Sequence, residues 1–130
     1  MNRYLLDTGV ALIAVDTPAR LLPKARSAIE KGSCLLSVVS YWEVILKAMK
    51  GTLDVGDPRE WWRETLEELA LQPLPFRPAH IGEIFNLPAI HQDPFDRALI
   101  AQATVENLTL ITADRAIPRY ASDRFRTLPT

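Results

Sequence analysis

The stretch HQDPFDRALIAQATVENLTLITAD, residues 91–114, decides how the rest of the chain is read. Asp93 followed by Pro94 marks a helix start. An Asp side chain accepts from N–H groups left open at a helix end, and Pro suits the first helical position because it has no N–H to leave unpaired. Asp96 then falls in the first turn, where the helix dipole favours an acid. The apolar run from Ala98 to Ala103 anchors that helix on a hydrophobic layer, and LTLI (108–111) reads as a strand that delivers Thr112 and Asp114 at its end. Whether these aspartates only cap a helix or also hold a ligand depends on what the rest of the chain brings near them.

Working outward, the same alternation of short apolar runs and longer helical segments recurs. YLL (4–6), CLLSV (34–38), LQPLPF (71–76), LTLI (108–111) and FRTL (125–128) are strand candidates, and the prolines of the third make it an edge strand or partly loop. Pro near a first helical position in TPAR (17), DPREWW (57), RPAH (77) and DPFD (93) predicts helices between them. Strands alternating with helices predict an α/β fold on a parallel sheet. The 130 residues show no repeat, linker or composition shift, so residues 1–130 are expected to form a single domain.

A net charge of -1 gives no overall basic field for nucleic acid, so any such contact has to come from a local patch. MNRYLLDTGV meets an aspartate too early for a signal peptide, and no stretch approaches the roughly 20 apolar residues of a membrane span, so a cytoplasmic, membrane-free protein is expected. Cys34, the one cysteine, is expected in the core.

Asp7 follows the first strand, Glu43 lies in the helix after the second, Asp96 in the first turn opened by DPFD, and Asp114 after the fourth strand. In a parallel α/β sheet the C-terminal strand ends and the following helix N-termini line one crevice. Four acids gathered there would raise one another's pKa and oppose folding unless a cation neutralised them. Carboxylates without cysteine suit Mg²⁺ or Mn²⁺ rather than Zn²⁺, and such an ion activates water for attack on a phosphodiester. Thr8 and Thr112, each at a strand end, can hydrogen-bond a carboxylate or water.

With LLDTGVAL, SVVSYWEVILKAMKG and HQDPFDRALIAQATVENLTLITAD all present, the chain resembles PIN-domain proteins, and most closely the VapC-type toxin ribonucleases of toxin–antitoxin pairs. The resemblance runs nearly end to end. It implies a three-layer α/β/α fold around a central parallel sheet and a metal-dependent endoribonuclease that is the toxin of a type II pair. It also implies a homodimer and an antitoxin that inserts into the active-site groove. Residue by residue it carries over an acidic quartet of Asp7, Glu43, Asp96 and Asp114 holding Mg²⁺ or Mn²⁺, with Thr112 in support. Asp93 is an added acid of a DPFDR subgroup.

Blander readings stand beside these. Asp93 suits a helix cap better than a metal ligand, and Asp7 and Asp114 are each, taken singly, ordinary turn residues. Glu43 and Lys47 have the spacing of a helical ion pair. Lys47, Lys50, Arg97 and Arg115 stand near the acids and form a candidate rim for RNA phosphates. Trp61 and Trp62 are read as core or dimer contacts, His80 as a helix-surface residue, and His91 as a neighbour of the groove. Two other classes compete with the ribonuclease: a catalytically silent PIN-like module that holds a partner's basic side chain, and a receiver-type phosphoacceptor. The second lacks the clustered acids after the first strand and the late lysine it would need.

Overall fold

The computed structural model describes residues 3–90 and 92–130. Five strands, β1 (Tyr4–Leu6), β2 (Cys34–Ser37), β3 (Gln72–Leu74), β4 (Thr109–Thr112) and β5 (Arg126–Pro129), form one sheet in the order β3-β2-β1-β4-β5. Every pairing is parallel, with Leu5 opposite Leu35 and Leu110, and Leu6 opposite Ile111. The chain moves outward from β1 through β2 to β3, then crosses back to place β4 on the other side of β1. The β1/β4 boundary is therefore the point where strand order reverses. All five expected strands are present, and the Pro-bearing β3 is an edge.

Helices α1 (Thr8–Asp16), α2 (Pro23–Glu30), α3 (Val38–Met49), α4 (Pro58–Glu68), α5 (Pro78–Ile84) and α6 (Pro94–Glu106) complete the layers. Strand side chains alternate between faces. Leu6, Leu36 and Ile111 join Val10, Ala25, Ile29 and Trp61 in one buried cluster. Leu5, Leu35 and Leu110 join Leu99, Ala103, Ile117 and Phe125 in the other. Two apolar faces covered by helices give the α/β/α arrangement, each fully buried Leu contributing about 1.5–3 kcal/mol. Helix α3 supplies Val44 to the first cluster and Val39 to the second, so it spans both layers. Cys34 is buried, its thiol donating to the Ala28 carbonyl. Trp61 is buried, and Trp62 stacks on Tyr41 with ring centroids 4.9 Å apart.

The helix starts follow the Pro signals with one correction. TPAR opens only a 3₁₀ turn, Pro18–Arg20, and the α-helix begins at Pro23. A Pro five residues after Pro18 cannot sit inside a helix without removing a backbone bond, so the chain restarts there. Helix α6 begins as the sequence implies: Asp93 Oδ1 accepts from the N–H groups of Phe95 (2.8 Å) and Asp96 (3.1 Å), with Pro94 at N1. It ends at Asn107, whose left-handed backbone (φ 55) suits an Asn C-cap and turns the chain into β4. Among the described residues no helix is long and apolar enough to cross a membrane.

His80 corrects the expectation of a surface histidine, since its side chain is wholly buried. Its Nδ1 accepts from Arg77 N–H (2.9 Å), which leaves the ring proton on Nε2, 2.7 Å from Glu106 Oε2. The imidazole thereby caps α5 and joins it to α6. Truncation by His80→Ala should lower unfolding stability by about 2 kcal/mol or more, because it removes two part-buried hydrogen bonds and leaves a cavity. Urea denaturation checks this; a loss under about 0.5 kcal/mol would contradict the role given to the ring.

Candidate functional site

The C-terminal end of β1 puts Asp7 at the strand-order reversal, beside the end of β4. Asp7 occupies the N-cap position of α1 with extended backbone, yet its side chain makes no capping hydrogen bond. Its Oδ2 instead accepts from the Thr112 hydroxyl at 2.7 Å. That hydroxyl also accepts from Asp114 N–H at 3.0 Å, so one threonine joins the acid after β1 to the acid after β4. Asp114 Oδ1 accepts from Ala116 N–H, giving the turn role that its isolated reading suggested.

Glu43 reaches the same end of the sheet from α3. The carboxylate is buried, with Oε2 2.9 Å from Lys47 Nζ, and Oε1 is buried without a hydrogen-bond partner. Thr8, the first residue of α1, donates to Ser40 Oγ at 2.8 Å and so fixes α1 against α3 one turn before Glu43. Ser40 is a positioning residue that the sequence reading missed. Its signal was available: Ser40, Glu43 and Lys47, at i, i+3 and i+7, share one face of a helix that is otherwise largely apolar.

Asp96 is buried in the first turn of α6. Trp42 and Phe95, the sequence neighbours of Glu43 and Asp96, meet edge to face with centroids 5.0 Å apart and brace α3 against α6. Charge effects show which acids share a field. Burial pushes the Asp7 carboxyl above its ordinary 3.8; the Thr112 hydrogen bond and the neighbouring Thr8 N–H oppose this, and the charges of Glu43 and Asp114 add to it. The Lys47 ammonium is pushed above its ordinary value chiefly by its hydrogen bond to Glu43, and the charges of Glu43, Asp93 and Asp96 add to the effect. Asp7 therefore shares a field with Glu43 and Asp114, and Lys47 shares one with Glu43, Asp93 and Asp96. Among the described residues no three side chains close into a preformed metal cage.

The basic residues divide. Lys47 lies against the acids, while Lys50 and Arg115 are exposed. Arg97 is turned elsewhere: its guanidinium donates to the Pro88 carbonyl (2.8 Å), the Ile84 carbonyl (3.4 Å) and the Tyr120 hydroxyl (3.3 Å), holding the connection between α5 and α6. His91 lies outside the described residues.

A family model described as PIN domain matches residues 4–123. The fold is similar to that of the DNA-bound VapBC of Salmonella typhimurium, with TM-score 0.71, 16% identity and 98% of each chain covered. It is similar also to VapBC-5 from Mycobacterium tuberculosis, described as a member of the VapBC family of toxin–antitoxin systems (TM-score 0.64, 20% identity, 100% of each chain covered). FitAcB from Neisseria gonorrhoeae is a further likeness, at TM-score 0.60 and 22% identity over 95% of this chain and 96% of that one. No curated protein matches by sequence.

The raised Asp7 pKa has a signed consequence. The native pKa exceeds the ordinary 3.8, so the native state holds that proton more tightly. Its contribution to stability is therefore present below the unfolded pKa and lost as pH rises through the native one. In chelator at pH 7, Asp7→Asn should melt a few degrees above the wild type, and the two should converge as pH falls towards about 4. Scanning fluorimetry across pH checks it, and coincident melting temperatures at pH 7 would refute it.

Proposed function

The chain belongs to the PIN-domain family, matched over residues 4–123, and on that premise we propose that it is a metal-dependent endoribonuclease, the toxin of a VapC-type toxin–antitoxin pair. The observation that carries the reading is the buried Glu43 carboxylate with an unpartnered Oε1, facing the same region as the buried Asp7 at the strand-order reversal. A buried charge with an open lone pair is costly, and nothing apolar relieves it. An all-oxygen donor set fits a hard divalent cation such as Mg²⁺ or Mn²⁺. Asp7, Glu43, Asp96 and Asp114 would hold it. Bound there, the ion would make water more acidic and offset the charge of the phosphodiester under attack.

The chain's own groups do the remaining work. Thr112 holds the Asp7 carboxylate in orientation through its hydroxyl, and Thr8 with Ser40 sets α3 so that Glu43 faces inward. Asp93 keeps its oxygen on the N–H groups of Phe95 and Asp96, which fixes the first turn of α6 and so the place of Asp96. Lys47 and Arg115 remain as phosphate contacts at the rim. A cytoplasmic antitoxin and a second copy of the chain are the proposed protein partners. Trp42, Met49, Ile81 and Phe85 provide exposed apolar surface that such contacts would cover.

Purified protein should cleave single-stranded RNA with Mn²⁺ or Mg²⁺, and chelation should stop it. Asp7→Asn and Asp96→Asn should each lower the rate about a hundredfold or more. Undiminished cleavage by both variants would sink the assignment, and absence of both cleavage and Mn²⁺ binding in the wild type would favour a silent binding module. At Asp93, Ser should retain most stability whereas Ala should cost about 1 kcal/mol, the pattern of a cap; loss of Mn²⁺ binding with Ser would reassign it as a ligand.

A further inference from the structure

Lys47 was expected to be an ordinary helical ion-pair partner or a rim contact. Its place in the fold is more particular. Four residues after Glu43 on α3, its stem folds back towards that carboxylate and sets Nζ 2.9 Å from Oε2. The pair is lopsided: the Glu43 side chain is 7% exposed and the Lys47 side chain 52%. The carboxylate is thus fixed in the interior while the ammonium closes over it from solvent. Asp93, at the N-cap of α6, and Asp96, in its first turn, act on the same ammonium. A lysine head has rotatable donors on a flexible stem, so it can leave without disturbing the helix.

We propose that Lys47 is the resident counter-ion of the acidic groove in the metal-free protein, and that a divalent cation must displace it from Glu43 to bind. The inference rests on the reading of the groove as a cation site. Physically it follows from occupancy of one carboxylate by two cations. An ammonium in contact with Oε2 repels an ion drawn to the same carboxylate, and each stabilises the buried charge in the other's absence. Once displaced, the Lys47 head stands at the mouth of the groove, free to meet an RNA phosphate. The same side chain then serves the empty groove and the loaded one in different positions.

Calorimetry with Mn²⁺ on the purified full chain, without RNA, tests this in Lys47→Met and in Lys50→Met, which removes an exposed lysine near the end of the same helix. Lys47→Met should bind Mn²⁺ at least about fivefold more tightly than the wild type. In chelator it should melt below the wild type, and saturating Mn²⁺ should close that gap. Lys50→Met should change neither quantity by as much as twofold or by more than a degree or so. Equal Mn²⁺ affinity in the wild type and Lys47→Met would overturn the proposal while leaving the cation site intact. An equal gain in Lys50→Met would also overturn it, by showing a general charge effect. No Mn²⁺ binding by any of these proteins would overturn both the proposal and the metal reading beneath it.

Discussion

The carboxylates of Asp7, Glu43 and Asp96 are each nine-tenths or more buried, and the surrounding structure is organised around the cost of keeping such groups there. Desolvated like charges oppose folding, and hydrogen bonds offset that only where every lone pair finds a donor. Thr112 supplies one donor to Asp7, and Lys47 supplies one to Glu43. Glu43 Oε1 is left open. A protein selected for stability alone would replace such groups with apolar ones. Their presence at the strand-order reversal supports the cation site proposed above.

The fold makes this arrangement possible by fixing its frame elsewhere. Strands of three or four residues contribute little by themselves, but strict alternation sends Leu5, Leu35 and Leu110 to one layer and Leu6, Leu36 and Ile111 to the other. Both faces of the central strands are thereby locked, and the register of β1 against β4 cannot slip without turning every side chain over. Asp7 and Thr112 consequently meet although they lie 105 residues apart. Helix α3 is held separately, by Thr8 on Ser40 and by Trp42 on Phe95, and it carries Glu43 between those two braces.

The elements legible in the sequence were those determined locally. Asp93-Pro94 announced α6 because capping is a matter of neighbouring residues, and the five strands were marked by apolar runs that lie in a sheet covered on both faces. The resemblance to PIN domains singled out four acids, of which the structure buries Asp7, Glu43 and Asp96. What was not legible depended on contacts from afar. His80 lies in a helix of seven residues, too short for periodicity to define an inner face, and its partner Glu106 is 26 residues away. Arg97 follows Asp96, but about 100° of helical rotation turns it from the acids towards the carbonyls of Ile84 and Pro88. The false helix start at TPAR carried its own warning in Pro23.

The acids also differ in how the backbone treats them, and this explains why Glu43 has a lysine in contact. Asp7 stands at the N-cap of α1 and Asp96 in the first turn of α6, where unpaired N–H groups and the positive end of the helix dipole favour negative charge. Asp114 has the Ala116 N–H. Glu43 lies beyond the first turn of α3, where those N–H groups are already bonded within the helix and the dipole's help has faded. Among the described residues its Oε1 is buried without a hydrogen-bond partner. A side-chain cation from its own helix is the available substitute, and the i, i+4 spacing with the acid first is the orientation that favours it. Lys47 is thus placed where the backbone offers Glu43 no help, and a cation competing for Glu43 meets it there.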